Sequence, residues 1–288
     1  MKLFKSSRNA LKIAGVALTL SVLAACADGV TQTPELDPTG YGDGGKFVAL
    51  NATNGLVLFD GERSYYGGSS AFTTRQVVGV DGNLLGIDYR PANNKLYGLT
   101  SNNKVYTIDP ATGRATFVST LSVPFGGGAL SGFDFNPVVD RLRLTGTNDQ
   151  NYRVNVDTGA TLVDGTLRYS QGDRNQGRDP NVTGSAYTNS VAGATTTVLY
   201  GIDHGLDVLV TQNPANDGLL QTRGSLGVNF GNMVGFDIVG RNGYYTGYAV
   251  TNSRLYEIDL RGGQARQVKS LPSGNYRGLA VMQDANRY

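Results

Sequence analysis

"GIDYRPANNKLYGLT" (residues 86–100) and "GFDFNPVVDRLRLTG" (residues 132–146) say nearly the same thing twice, 46 residues apart. Each opens on Gly, runs through a short apolar strand with Asp at its third position, turns at Pro with Asn or Asp, and enters a second strand. The opening Gly recurs at Gly184 ("GSAYTN"), Gly235 ("GFDIVG") and Gly278 ("GLAVMQ"), giving spacings of 46, 52, 51 and 43. Behind the first four openings comes a second strand: "KLYGLT", "RLRLTG", "TVLYGID" and "YTGYAVT". A third follows in "KVYTID", "YRVNVD", "DVLVTQ" and "RLYEID", and a shorter fourth in "ATFVS", "ATLVD", "LLQTR" and "ARQVK". Four strands in each unit of about forty to fifty residues predict the blades of a β-propeller.

The ends of the repeat array complete each other. "KFVALN", "GLVLFD" and "TRQVVG", within 46–79, supply strands two to four of a blade and lack the first. "YRGLAVM", residues 276–282, is a first strand with nothing after it. Joined, they predict an all-β, five-bladed β-propeller over residues 46–282, closed by pairing of the N- and C-terminal strands, with 283–288 as a C-terminal tail. Each blade must bury both faces against its neighbours, and the ring leaves no open seam only when shut. From Lys46 onward no long segment has helical spacing of apolar residues. The 40 Gly among 288 residues suit tight turns and closely packed strands.

Ahead of the repeats lies an export signal. Lys2, Lys5, Arg8 and Lys12 give a positive start, the apolar "ALKIAGVALTLSVLAA" follows, and "LAAC" ends on Cys26. The last four residues resemble the lipobox of bacterial lipoproteins. Residues 1–25 are therefore expected to be a signal peptide and Cys26 the lipidation site, with 26–45 a polar, Gly/Pro-rich tether. In that pattern Asp directly after the Cys retains a lipoprotein at the inner membrane; here the position is Ala27, which points to the outer membrane of the cell envelope. Losing four positive side chains takes the formal charge from +2 to −2. No basic stripe is left for nucleic acid. With the single Cys lipidated, disulfides, thiol catalysis and thiolate metal sites are excluded.

The run "GFDFNPVVDRLRLTGTNDQNYRVNVDTGA", followed by "AYTNS", "TTTVLYGID" and "TQNPANDG", resembles an exported bacterial family known as domain of unknown function 4394. The similarity spans roughly residues 46 to 282. It implies a propeller in the envelope and brings no activity with it.

Asp88, Asp134 and Asp237 share one place in three first strands, the strands that line a propeller's channel; Ala186 and Ala280 hold that place in the other two. Three carboxylates facing a narrow channel repel one another unless hydrogen-bonded or bridged by a cation. Either each accepts backbone N–H bonds that tie adjacent blades, or they form a Ca²⁺ site or an acid pair for hydrolysis. Arg141 and Arg143 share one face of "RLRL", and a buried guanidinium there needs a carboxylate, with Asp134, Asp140 and Asp88 as candidates. The alternative is an anion or sugar pocket built from Arg143, Arg153, Asn151 and Gln150. The polar loops 147–151, 170–181 and 211–218 could carry binding or simply make turns. His204 is the only histidine, so a His-rich metal site is impossible.

The expectation is a membrane-anchored, extracytoplasmic binding or scaffolding module whose partner is an envelope polysaccharide or protein. It needs no cofactor. The alternative is a lactonase- or glycosidase-like hydrolase using the channel Asp residues with Ca²⁺. The chain has three Glu, none in a first strand, which counts against a glycosidase.

Overall fold

The computed structural model describes residues 45–60, 72–128, 130–241 and 243–282. The signal peptide, Cys26, all of the tether but Gly45 and the tail 283–288 lie outside the described residues. Five sheets, antiparallel but for one short strand, stand around a central channel, one for each predicted blade. Blade 2 is β4 (Leu84–Arg90), β5 (Lys95–Thr100), β6 (Lys104–Ile108) and β7 (Ala115–Thr120); blade 3 is β8 (Ser131–Asn136), β9 (Arg141–Gly146), β10 (Asn151–Val154) and β11 (Thr161–Val163). Blade 4 is built on β13 (Val182–Tyr187), β14 (Leu199–Asp203), β15 (Val208–Gln212) and β16 (Leu219–Ser225). Blade 5 is β17 (Gly235–Arg241), β18 (Tyr244–Thr251), β19 (Arg254–Ile258) and β20 (Ala265–Ser270).

Blade 1 unites the two ends. The C-terminal β21 (Tyr276–Met282) pairs antiparallel with β1 (Lys46–Asn51), which continues into β2 (Gly55–Asp60) and β3 (Thr73–Gln76). The register sets Phe47 opposite Val281 and Ala49 opposite Leu279, so a seven-residue ribbon from the far end becomes the innermost strand. Its faces then match the other blades. Phe47, Leu279 and Val281 pack with Tyr248 and Val250 of blade 5, while Val48, Leu50 and Ala280 pack with Ile87 and Leu96 of blade 2.

One element departs from the four-strand rule. Arg168–Tyr169, β12, adds parallel to the outer strand β16 and makes blade 4 five-stranded. A two-residue strand has no apolar period to read, and what creates it is the unpaired edge of β16. The Asn and Asp clusters between strands are the predicted turns: Asn94, Asn103, Asp140 and Asp207 all have φ between 50° and 60°, the left-handed region those residues tolerate.

The repeated opening Gly is explained by close approach. Gly86, Gly132, Gly184, Gly235 and Gly278 lie on the five inner strands, which pack against one another in the ring order β21, β4, β8, β13, β17. A Cβ on Gly132 would sit 2.2 Å from Ser185 Oγ, and one on Gly235 would sit 2.3 Å from the Gly278 carbonyl carbon. Five blades make a narrow ring, and side chains at this layer would wedge it open.

Candidate functional site: the carboxylate layer of the channel

Two residues along each inner strand from its opening Gly comes the layer of Asp88, Asp134, Ala186, Asp237 and Ala280. The three carboxylates meet: one oxygen from each lies within 4.8 Å of the others. All three are buried, Asp134 to 1 % exposure. Each also reaches to the next blade. Asp88 Oδ2 accepts the Phe135 N–H of blade 3 (2.9 Å), Asp134 Oδ1 the Tyr187 N–H of blade 4 (3.2 Å), and Asp237 Oδ2 the Val281 N–H of blade 1 (2.6 Å). The acceptor is thus always offered to the residue one past the aligned position in the following blade.

At the two junctions that start from Ala186 and Ala280 no carboxylate arrives from behind. There the amide is served by its own neighbour: Ile238 N–H donates to Asp237 Oδ1 (2.6 Å), and Tyr89 N–H contributes to Asp88. Three carboxylates therefore accept from five inner-strand amides.

The cost of that arrangement is charge. Desolvation first, then the Asp237 charge, holds Asp88 well above the usual carboxylate range. Asp134 is raised by desolvation, then by Asp88 and Asp237. Burial pushes Asp237 up to about 7, against the pull of the Val281 and Ile238 N–H bonds. Alone, the cluster is stable only if it keeps protons. It also fits a hard cation in kind, because oxygens this close can all reach one Ca²⁺ at about 2.3–2.6 Å. Access is a different matter. The cavity beside this layer, lined by Gly86, Ile87, Phe133 and Phe236 among others, measures about 10 Å³, which is room for one water-sized species.

The arginines lie elsewhere. Arg143 is 1 % exposed at the seam between blades 3 and 4, and its fork is filled. It donates to Asp164 Oδ2 (2.6 Å), Asn151 Oδ1 (2.7 Å), Asn216 Oδ1 (2.8 Å) and the Tyr187 hydroxyl (3.2 Å). Its carboxylate is Asp164, not Asp134, Asp140 or Asp88. Arg153 donates to both oxygens of the same Asp164, from Nε at 2.7 Å and Nη2 at 2.8 Å. Asn151 is buried and donates to Gly165 and Ala215 carbonyls. Gln150 turns away to Gly126 N–H and the Tyr152 hydroxyl, and Arg141 reaches only the Val139 and Asp140 carbonyls. The donors proposed as a sugar or anion pocket are thus committed to one another's loops, and Arg141 and Gln150 are not part of the cluster. His204 sits against the Asn181 carbonyl at a turn.

Three partners were not singled out from sequence. Arg90, 8 % exposed, binds Asp140 and Asp157 together and lies over the Tyr97 ring. Asp164 closes the fourth strand of blade 3, and Asn216 comes from the 211–218 loop. A charged residue in a strand covered on both faces was the available signal, since it demands a partner somewhere.

A second cavity lies between blades 1 and 2. It measures about 490 Å³ and is lined by Tyr89, Lys95, Leu96, Arg114, Thr116 and Met282 among others.

The chain matches the family described as "Domain of unknown function (DUF4394)" over residues 65–280. No curated protein matches it. Among solved structures, the computationally designed Ika8 protein is 11% identical with a TM-score of 0.37, over 83% of this chain and 66% of that one. The chain thus spans just under two thirds of the designed protein's length. A luciferin-regenerating enzyme is 10% identical with a TM-score of 0.42, over 82% of this chain and 79% of that one. With three quarters of its length inside the family match and its five sheets closed into a ring, the chain belongs to the DUF4394 family of domains of unknown function.

Proposed function

We propose that this protein is a lipid-anchored, extracytoplasmic propeller that works as a binding or scaffolding module of the bacterial cell envelope, held there through Cys26. The observation that carries the choice of a module over a hydrolase is the burial of the channel carboxylates. Asp88, Asp134 and Asp237 are the residues a hydrolase would need for acid and base work, yet they are buried behind a cavity of about 10 Å³. A glycoside or lactone cannot reach them, and proton transfer requires hydrogen-bond reach. Their oxygens serve backbone amides of neighbouring blades instead. The interblade cavity of about 490 Å³ falls in the size range of ligand sites and offers Lys95 and Arg114 against one carboxylate, Asp109, beside apolar Leu96 and Ile108. That supports an acidic polysaccharide or protein segment as the partner.

The test pairs binding with turnover. The purified chain is titrated with envelope polysaccharide, then assayed on ester, lactone and glycoside substrates as wild type and Asp88→Asn. Saturable binding that weakens in Lys95→Ala/Arg114→Ala, without turnover, is expected. Turnover that disappears in Asp88→Asn, together with a divalent ion whose removal by EDTA lowers the melting temperature, would overturn the module in favour of the hydrolase.

A further inference from the structure

Among the described residues three arginines are buried to 8 % exposure or less: Arg90, Arg143 and Arg277. The first two are saturated by carboxylates. Arg277, 6 % exposed on the innermost strand of blade 1, has no carboxylate partner among the described residues. Its Nη1 donates to the Leu84 carbonyl (3.2 Å) and its Nη2 to the Ala52 carbonyl, both neutral, and its Nε has no acceptor. Burial pulls the Arg277 guanidinium below its usual range. Arg277 lines the cavity at the channel mouth together with Gly86, Ser131, Ser185, Gly235 and Gly278.

We propose that this mouth is a binding site for one chloride-sized monovalent anion, held by Arg277. Two independent features converge on it: a cation taken out of water without a counter-charge, and a cavity of about 10 Å³ at the same side chain. A water molecule would fit the space but would leave the charge uncompensated, and an uncompensated buried ion is costly. A space this small favours a monatomic halide over tetrahedral oxyanions and organic acids. The missing Cβ atoms of the Gly layer keep it open, because a Cβ on Gly235 would already touch the facing backbone. An anion here also sits about two strand residues, roughly 7 Å, from the Asp layer. It would favour the protonated carboxyls already favoured there by burial.

Crystals of the protein soaked in sodium bromide and measured at the bromine edge test the site. One anomalous peak within hydrogen-bond distance of Arg277 Nε is expected. Thermal melts in sodium chloride and in sodium gluconate at equal ionic strength give the second readout. Chloride at a hundredfold excess over Kd raises the wild-type melting temperature by about 5–10 °C, and Arg277→Gln abolishes the difference. No bromide at the mouth, or the same chloride dependence in Arg277→Gln, overturns the proposal. If Arg277→Gln fails to fold, the wild-type bromide map decides.

Discussion

Replacing Asp134 in two ways separates an interblade clasp from a charged site. Asp134 Oδ1 is the acceptor for the buried Tyr187 N–H across the seam from blade 3 to blade 4, and its pKa is raised by burial and by two neighbouring acids. Asp134→Asn keeps a carbonyl oxygen where the bond needs one and removes the ionisable group. Asp134→Ala removes the acceptor and leaves Tyr187 N–H buried without a partner, which costs about 1–3 kcal/mol. In a domain of this size that lowers the melting temperature by about 2–4 °C per kcal/mol, so about 2–12 °C. The alanine also opens a small void, which adds to the loss. The assay is differential scanning calorimetry at pH 5 and pH 8 with EDTA throughout. At pH 5 the order wild type, Asn, Ala is expected, with Asn close to wild type. At pH 8 Asn is expected to match or exceed wild type, because its unfolded chain gains nothing by ionising at that position. If Asp134→Ala melts with the wild type, or if Asn falls below Ala, the amide is not what this carboxyl serves and the clasp reading fails.

The pH dependence of the wild type follows from the same layer. Asp237 rises from an unfolded value of 3.8 to about 7 in the fold, so its contribution is full below 3.8 and is lost as pH climbs to about 7; the loss is on the order of 4 kcal/mol. Asp157 and Asp173, whose values are lowered, act in the opposite sense but only near and below 3.8. Calorimetry from pH 4 to 8 in EDTA should show stability falling through that window, and a rise would contradict it. Asp164→Ala strands the buried Arg143 guanidinium and should destabilise by about 3–5 kcal/mol, whereas Arg141→Ala, half-buried at the strand's start with only carbonyl partners, should stay within about 0.5 kcal/mol. Equal effects in urea titrations would refute the assignment of Asp164 as the essential partner. Gly235→Val forces side-chain atoms into the Gly278 backbone of the closing strand and should cost at least about 1–3 kcal/mol, read as early loss of amide protection in residues 276–282 by hydrogen exchange. Unchanged protection there would show that the inner strands are not in close contact.

Blade number, blade boundaries and ring closure were all legible in the amino-acid order. The reason is local: each inner strand needs a Gly at its close approach, a turn residue at positive φ and a run of two-sided apolar residues, and those demands recur with every blade. The incomplete repeat at each end was equally readable, since "YRGLAVM" without a following strand and "KFVALN" without a preceding one can satisfy their edges only through each other. The shared place of Asp88, Asp134 and Asp237 was visible as well, because alignment of repeats is alignment in space. What the order of residues left open was what those carboxyls touch. A hydrogen bond to the next blade and a cation site ask for the same residue at the same position, and only the ring's diameter decides how close the oxygens come and how little room remains beside them. Arg143 shows the same limit: a buried guanidinium announces that it needs a carboxylate, but Asp164 reaches it across a hairpin and Asn216 from the next blade, at separations of 21 and 73 residues that no local pattern encodes. Arg277 is a further case: only the folded ring shows its guanidinium buried, with Nε unpartnered and two neutral carbonyls as acceptors.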